Sequence, residues 1–365
     1  VTSPHPLTLV VAPDSPLDKK VVARIAKVLL TSLRESFPAS FNLGVFSSSE
    51  TLLRAWGGVA TYQDDGDVDA THSTIYDLAS LTKVVATTTL VLWLSEQSKW
   101  KISDSVSKWV PGFARDDVTL EHLLTHTSGL IPHIPFFSLY DSPRAIRRAV
   151  LEESRNGVAG EHVAYSDLNF MLLGWAIQNC TRTSLDRLFT EVVAAPLGLR
   201  TLRFRPSWKQ RPSIAATELN GDQRRSEQLV WGDVHDGNAW ALGGVAGHAG
   251  LFSSADDLGV FAQALLDPQS HRLLSSASIT AMSTRHAGRQ TDVRGLGWKL
   301  KPRELGRWPD GTFWHTGFTG TSLLVDPIDD LAVVLLCNAV HPFRQLERQA
   351  AFRSAVHKAL LDVKS

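Results

Sequence analysis

Residues 84–94 constrain this chain most. They form the longest apolar run of its 365 residues, interrupted only by threonines. The run is too short to span a membrane, so it predicts a helix buried in a folded domain. It is preceded by Asp77-Leu78-Ala79-Ser80-Leu81-Thr82-Lys83. If the helix starts near Ser80, Lys83 lies one turn on, on the same face. A serine hydroxyl is a weak nucleophile until a base takes its proton. An ammonium pressed into a crowded apolar site loses its charge and can do so. The spacing therefore offers Ser80 as nucleophile and Lys83 as base; the other reading of Lys83 is a snorkelling surface lysine. Ser98/Lys101 and Ser105/Lys108 repeat the pattern in polar, turn-like surroundings, where lysine stays solvated.

Composition narrows the classes. The chain holds 37 Lys plus Arg and 37 Asp plus Glu, a formal net charge of zero, which argues against a nucleic-acid partner. No apolar run reaches membrane-spanning length. Cys180 and Cys337 lie far apart and read as small buried residues, not as a disulfide framework or a metal knuckle. No signal peptide is visible at Val1, which leaves open a leader that has been removed.

The order of elements points to an α+β fold. Residues 1–16 read as an extended, poorly ordered lead. Residues 17–37 carry Val21, Val22, Ile25, Val28, Leu29 and Leu33 at helical spacing and stop at Pro38. Residues 41–46 and 51–60 read as strands about a polar turn, with a bulge or close approach at Gly57-Gly58 and an acidic loop at 64–69. Helices then dominate. One starts at Ser80; others cover 120–125 behind Thr119, 142–156 behind Pro143, 168–180 and 185–194. The last covers 255–266, capped by Ser253 or Ser254. Strands return at 296–300, 312–315, 321–326 and 332–337, and residues 343–363 close the chain as a helix. This layout predicts an antiparallel sheet flanked by N- and C-terminal helices, with an inserted helical domain. The expected division is 1–66 plus 290–365 for the sheet domain and 67–289 for the helical one. The site would lie in the cleft between them.

Two further segments carry chemistry. Ala164-Tyr165-Ser166-Asp167 precedes a helix, so Tyr165 could project from a loop and shuttle a proton beside a cation such as Lys83. The other reading makes Tyr165 a packing residue and Ser166 or Asp167 an N-cap. Phe313-Trp314-His315-Thr316-Gly317-Phe318 alternates like a strand and turns glycine-rich. Gly317 clears space for a substrate along the strand edge, backbone N–H groups there can hold an oxyanion, and His315 or Thr316 can meet a substrate anion. An ordinary edge strand with a bulge reads equally well. His122 and His126 have helix-ligand spacing but no third ligand, so no metal is expected. Residues 243–250 lack the Lys-Ser or Lys-Thr of a phosphate cradle and read as close packing at a cleft wall. His235 and Asp236 are adjacent and expected to point apart. Trp231, Trp240 and Trp298 read as packing residues, with cleft lining as the other reading.

In order, Ser80-Leu81-Thr82-Lys83, Tyr165-Ser166-Asp167 and His315-Thr316-Gly317 resemble the serine β-lactamase and penicillin-binding-protein superfamily. The likeness is closest to class C β-lactamases, their esterase relatives and D-alanyl-D-alanine carboxypeptidases. Residues 122–130 and 243–253 are similar to family stretches as well, and the likeness runs from about Phe41 to Cys337. The resemblance implies a β-lactamase/transpeptidase-like fold and an acyl-enzyme on Ser80. Lys83 and Tyr165 would share the proton traffic, and the N–H groups of Ser80 and Phe318 would form the oxyanion hole. Asp167, His315, Thr316 and Gly317 would bind substrate, and no cofactor is implied. His315 stands where the family has lysine, so carboxylate binding should be weaker and pH-dependent. Asp167 replaces an amide and could instead tie down Lys83. The expected activity is hydrolysis of an ester or D-amino-acid amide, with weak β-lactam turnover at best. The alternatives are a D-alanyl-D-alanine carboxypeptidase or peptidoglycan-fragment peptidase, and a penicillin-binding sensor that does not turn over. A monomer acting on a small molecule or peptide is expected, periplasmic or extracellular if the substrate is peptidoglycan.

Overall fold

The apolar stripe near the N-terminus folds as the helix Lys19–Arg34, which buries Val21, Ile25, Leu29 and Leu33. Asp18 caps it by accepting the Lys20 N–H at 2.6 Å. Phe352 and Val356 of the C-terminal helix, Leu346–Ala359, join the same core. Each such side chain taken from water contributes about 1.5–3 kcal/mol. The computed structural model describes residues 6–63, 66–153, 157–219, 228–288 and 292–361. The parts of expected segments at 1–5, 64–65, 154–156 and 362–363 lie outside these.

Among the described residues twelve strands form two sheets. They are β1 (Thr8–Val11), β2 (Ser40–Phe46), β3 (Thr51–Thr61), β4 (Val68–Asp69), β5 (Tyr76–Asp77), β6 (Arg203–Phe204), β7 (Leu251–Ser253), β8 (Val293–Arg294), β9 (Lys299–Leu300), β10 (Phe313–Thr316), β11 (Ser322–Asp326) and β12 (Leu331–Cys337). The large sheet runs β1-β3-β2-β12-β11-β10-β9-β8, with β4 also on β3, and every pairing is antiparallel. A small sheet, β5-β7-β6, lies within the helical part of the sequence. One face of the large sheet meets the two terminal helices. Against the other lies the helix Ala255–Leu266, capped by Ser254. Gly259 makes that contact close: a Cβ there would stand 2.2 Å from the Phe46 ring.

Several expectations need correction. The lead expected to be poorly ordered holds a strand: Thr8–Val11 pairs with β3 and tucks Leu9 and Val11 towards the core. Gly58 marks a close approach: its φ is +87° and a Cβ would stand 2.2 Å from the Ala39 carbonyl. The register shift on that hairpin falls at Val45/Phe46 instead. Of the strand expected at 296–300 only Lys299–Leu300 forms, as β9, and it pairs back on β8, which precedes the expected segment. Gly297 turns the chain between them with φ +80°, where any side chain would strike Thr88. That hairpin brings Arg294 and Lys299 beside β10. The helix after Ser80 opens with a π-helical turn, Lys83–Thr88, before the α-helix Thr89–Glu96. Such turns gather at functional sites. Among the described residues no helix is long and apolar enough to cross a membrane.

Candidate active site

Ser80 sits where β5 gives way to the π-turn. Ala79 just before it has φ +46°, held there by the Asp77 carboxylate, which accepts the Ala79 N–H at 2.7 Å. The other oxygen of Asp77 accepts the His235 N–H at 2.6 Å. Thr319 and Thr321 donate to the Asp77 and Leu78 carbonyls at 2.8 and 3.2 Å. The serine turn and the turn after β10 are thus bolted together. Lys101 and Lys108, of the other two Ser-x-x-Lys matches, are exposed.

Lys83 is fully buried, but not as a neutral amine. Its Nζ donates to Ser80 Oγ at 3.0 Å and to the His248 carbonyl at 3.1 Å, and it lies 2.8 Å from Asp167 Oδ1. Three acceptors for three N–H groups is the complement of an ammonium. Burial pulls its proton affinity down, but Asp167 and then Tyr165 more than reverse this and hold it above the ordinary lysine value. The expectation of a lysine neutralised by desolvation is therefore corrected. Of the two roles expected for Asp167, the contacts match the tie to Lys83: its oxygens meet Lys83 and, at 3.1 Å, His133 Nδ1. Burial opposes its ionisation, but Lys83 and His133 outweigh that and depress its pKa.

Tyr165 reaches the same place from its loop. Lys83 Nζ is 5.0 Å from its ring centroid. The loop is held by His126, whose carbonyl accepts the Ala164 N–H at 2.8 Å and whose Nδ1 accepts the Ser166 N–H at 3.0 Å. Burial first, then Arg294 and Lys83, keep the His126 pKa well below the ordinary value, as a ring that accepts at Nδ1 requires. His122 caps its own helix, taking the Thr119 N–H on Nδ1 at 3.3 Å. The two histidines are thus structural, each engaged by backbone. In residues 243–250 the Gly247 backbone presses on the helix Asp167–Thr181. A Cβ there would lie 2.0 Å from the Phe170 carbonyl.

The strand β10 supplies the opposite wall. Gly317 is packed so closely that a Cβ would lie 2.1 Å from Thr321 Oγ1 and 2.6 Å from the Leu78 carbonyl. The C-terminal helix fixes the peptides on either side. Gln349 donates to the Phe318 carbonyl at 3.0 Å and Arg353 to the Gly317 carbonyl at 3.1 Å. Among the described residues neither the Ser80 nor the Phe318 N–H has a protein acceptor. His315 differs from expectation. It is 2% exposed, and burial, then Lys83 and Arg294, hold its pKa well below 6.5. Its Nδ1 donates to the Thr316 carbonyl at 2.9 Å and its Nε2 has no protein partner. A neutral ring cannot replace a lysine's charge.

The charge comes from residues that the sequence did not single out. A cavity of about 440 Å³ is lined by Ser80, Tyr165, His315, Thr316, Gly317 and Phe318 together with Arg294, Lys299 and Arg353. Arg294 is 3% exposed; its Nε donates to Asp292 at 2.8 Å, and among the described residues its Nη1, itself buried, has no partner. With Lys299 and Arg353, the Arg294 guanidinium gives this wall the positive charge that a neutral His315 lacks, which suits an anion. Nothing in the local sequence marks Arg294, because only the β8–β9 hairpin carries it here. His133 was missed for the same reason. His235 and Asp236 do point apart: His235 Nε2 meets Glu218 at 2.8 Å and Asp236 meets His248 Nε2 at 2.9 Å. Trp298 is fully buried in the core.

The family model described as Beta-lactamase matches residues 39–357. The chain belongs to the beta-lactamase family. It is 32% identical over 385 aligned positions to a protein of Salmonella enteritidis PT4 that bears the name "Putative D-alanyl-D-alanine carboxypeptidase", covering 92% of this chain and 87% of that one. In fold it is similar to EstCE1, described as a hydrolase with promiscuous acyltransferase activity (TM-score 0.73, 21% identity, 93% of this chain and 99% of that one). It is also similar to an octameric penicillin-binding protein homologue from Pyrococcus abyssi (TM-score 0.70, 20% identity, 87% and 73% covered). The expected β-lactamase/transpeptidase-like α+β fold is thus the fold of this member of the beta-lactamase family, and a serine hydrolase is the activity class its family indicates.

Proposed function

We propose that this protein hydrolyses substrates carrying a free carboxylate through an acyl-enzyme on Ser80, with peptides ending in D-amino acids, such as D-alanyl-D-alanine, as the favoured class. The observation that carries this is the meeting of two features at one cavity. Ser80 Oγ is hydrogen-bonded at 3.0 Å to a buried lysine, and the cations Arg294, Lys299 and Arg353 line the same cavity. The name of the Salmonella relative supports the same class. In this reading the cleft lies between the large sheet and the helical segment, Ser80 attacks the carbonyl, and the Ser80 and Phe318 N–H groups hold the oxyanion. The Thr316–Gly317 edge aligns the substrate backbone, and Arg294 takes the carboxylate bidentately. Lys83 can accept the serine proton only after releasing one of its own by way of Tyr165 to the cavity. Tyr165 stands beside it to carry a proton to the leaving group. Water then releases the acyl group. If the substrate is peptidoglycan, the enzyme works outside the cytoplasm, and a monomer suffices because all these groups come from one chain.

A second reading, ester hydrolysis, draws on the lip of the cavity, where Phe318 is 40% and Leu346 51% exposed and could receive apolar groups. The deciding assay compares a D-alanyl-D-alanine peptide with a short-chain p-nitrophenyl ester, using wild type and Ser80→Ala. Faster turnover of the peptide supports the carboxylate reading, and faster turnover of the ester the second. A Ser80 adduct that never clears would identify a sensor. Hydrolysis that survives Ser80→Ala would exclude the mechanism altogether.

A further inference from the structure

A lysine and a histidine share one carboxylate beside Ser80. Asp167 Oδ1 lies 2.8 Å from Lys83 Nζ, and Asp167 Oδ2 lies 3.1 Å from His133 Nδ1. Lys83 is at the closed end, with none of its side chain exposed, while 47% of the His133 side chain is exposed. The contact is built from both sides. The Asp167 N–H donates to the Pro132 carbonyl at 2.9 Å, and Ser166 Oγ donates to the Ile131 carbonyl at 2.7 Å. Asn238 Nδ2 donates to the Ile134 carbonyl at 2.8 Å. The residues on either side of His133 are therefore tied to the loop that carries Asp167 and to the segment behind it.

We propose that His133 is a pH-dependent positioning residue: on taking up a proton it competes with Lys83 for the Asp167 carboxylate and loosens the proton that Lys83 holds. The inference rests on the reading of Ser80 as nucleophile only for its effect on rate; the coupling itself needs no substrate. The proton enters from solvent at Nε2, while the Nδ1–H remains donated to Asp167, so no bond is made or broken except N–H. The charged groups that face the ring are Asp167, which it touches, Asp236, whose carboxylate is engaged by His248, and Lys83 across the carboxylate. The Asp167 hydrogen bond raises the proton affinity of His133 against the effect of burial; Asp236 assists and Lys83 opposes. Such coupling is reciprocal: whatever His133 takes from Lys83, Lys83 takes from His133.

The test has two arms. In the first, the His133 titration is followed by NMR on the whole protein in wild type, Lys83→Met and Asp167→Asn. Removing Lys83 should increase the proton affinity of His133 about tenfold, and removing the carboxylate should lower it, because burial and Lys83 still oppose the charge. A titration unmoved by Lys83→Met overturns the proposal. In the second, phosphonylation of Ser80 by a fluorophosphonate, which forms the O–P bond and releases fluoride, is timed between about pH 5.5 and 9 in wild type, His133→Gln and His133→Lys, each checked for an unchanged melting temperature. Gln keeps the hydrogen bond without a charge and Lys keeps a charge at every pH of the series. Wild type should outpace His133→Gln several-fold at the acid end, and the two should converge as pH rises. His133→Lys should keep its advantage throughout. Equal pH profiles in wild type and His133→Gln overturn the effect on rate, and this arm stands even if Lys83→Met does not fold. If Ser80 takes no label in any variant, the nucleophile reading fails, while the NMR arm still decides the coupling.

Discussion

Lys83 and Asp167 meet at 2.8 Å in the interior, one side chain fully buried and the other 16% exposed. The pair makes the site electrostatically self-contained: the charge that burial would remove from Lys83 is kept by a carboxylate that burial would protonate. The pKa of Asp167 is depressed below 3.8, so its stabilisation is present above that value and is lost as pH falls through the lower folded value. The pKa of Lys83 is raised above 10.5, so its share is present below that value and is lost as pH rises through the higher folded value. Asp167→Asn should therefore cost about 3 kcal/mol near neutral pH in denaturant unfolding. The loss should shrink towards about pH 10, because Lys83 can then shed its proton cheaply. An unchanged midpoint near pH 7 would show that the pair contributes nothing.

Arg294 gives the substrate prediction. Its guanidinium is buried at the cavity, with Nε donated to Asp292. Removing a desolvated partner of a carboxylate costs about 2–5 kcal/mol. Arg294→Met should therefore lower kcat/KM for a carboxylate-terminated peptide by roughly 30-fold or more. Turnover of a neutral p-nitrophenyl ester should stay within about threefold of wild type. Arg294→Lys should recover little, since an ammonium cannot reproduce the planar fork. Equal losses on both substrates would assign Arg294 to the frame of the site and remove the carboxylate from the proposed function.

The sequence carries this fold because its periodicities are strong where packing is two-sided. The helices Lys19–Arg34 and Ala255–Leu266 and the strands β2, β3, β11 and β12 fill the core in the pattern their spacing predicts. Ser80, Lys83 and Tyr165 come together from separate elements. The state of those groups was not legible. The charge on Lys83 depends on Asp167, 84 positions later, whose side chain could have faced either way. The neutrality of His315 follows from burial beside cations contributed by the turn after Ser80 and by β8 and β9. Arg294 reaches the cavity only because Gly297 turns the hairpin, and β1 went unread because a four-residue edge strand carries too little pattern.

Gly317 carries a steric prediction. A methyl group there would fall 2.1 Å from Thr321 Oγ1 and 2.6 Å from the Leu78 carbonyl, so Gly317→Ala must push β10 away from the serine turn. The Phe318 N–H would move with it. Loss of one oxyanion donor lowers kcat by roughly 100- to 1000-fold, with KM much less affected. Steady-state kinetics on the preferred substrate test this. A variant that kept full kcat would place the oxyanion elsewhere.

His357 predicts acid sensitivity far from the cavity. It is fully buried between the sheet and the C-terminal helix, with Nε2 2.9 Å from Ser322 Oγ. Burial first, then Arg353, push its pKa down from 6.5 to about 3. The unfolded chain therefore binds a proton that the folded protein refuses. The penalty appears as pH falls below 6.5 and levels off only below about 3. At about pH 5 it amounts to roughly 2 kcal/mol. His357→Gln can keep the Ser322 contact and has nothing to titrate. Between about pH 7.5 and 5, the unfolding free energy of wild type should fall by roughly 2 kcal/mol more than that of His357→Gln. Parallel pH dependences would mean that His357 gains its proton without loss of the fold.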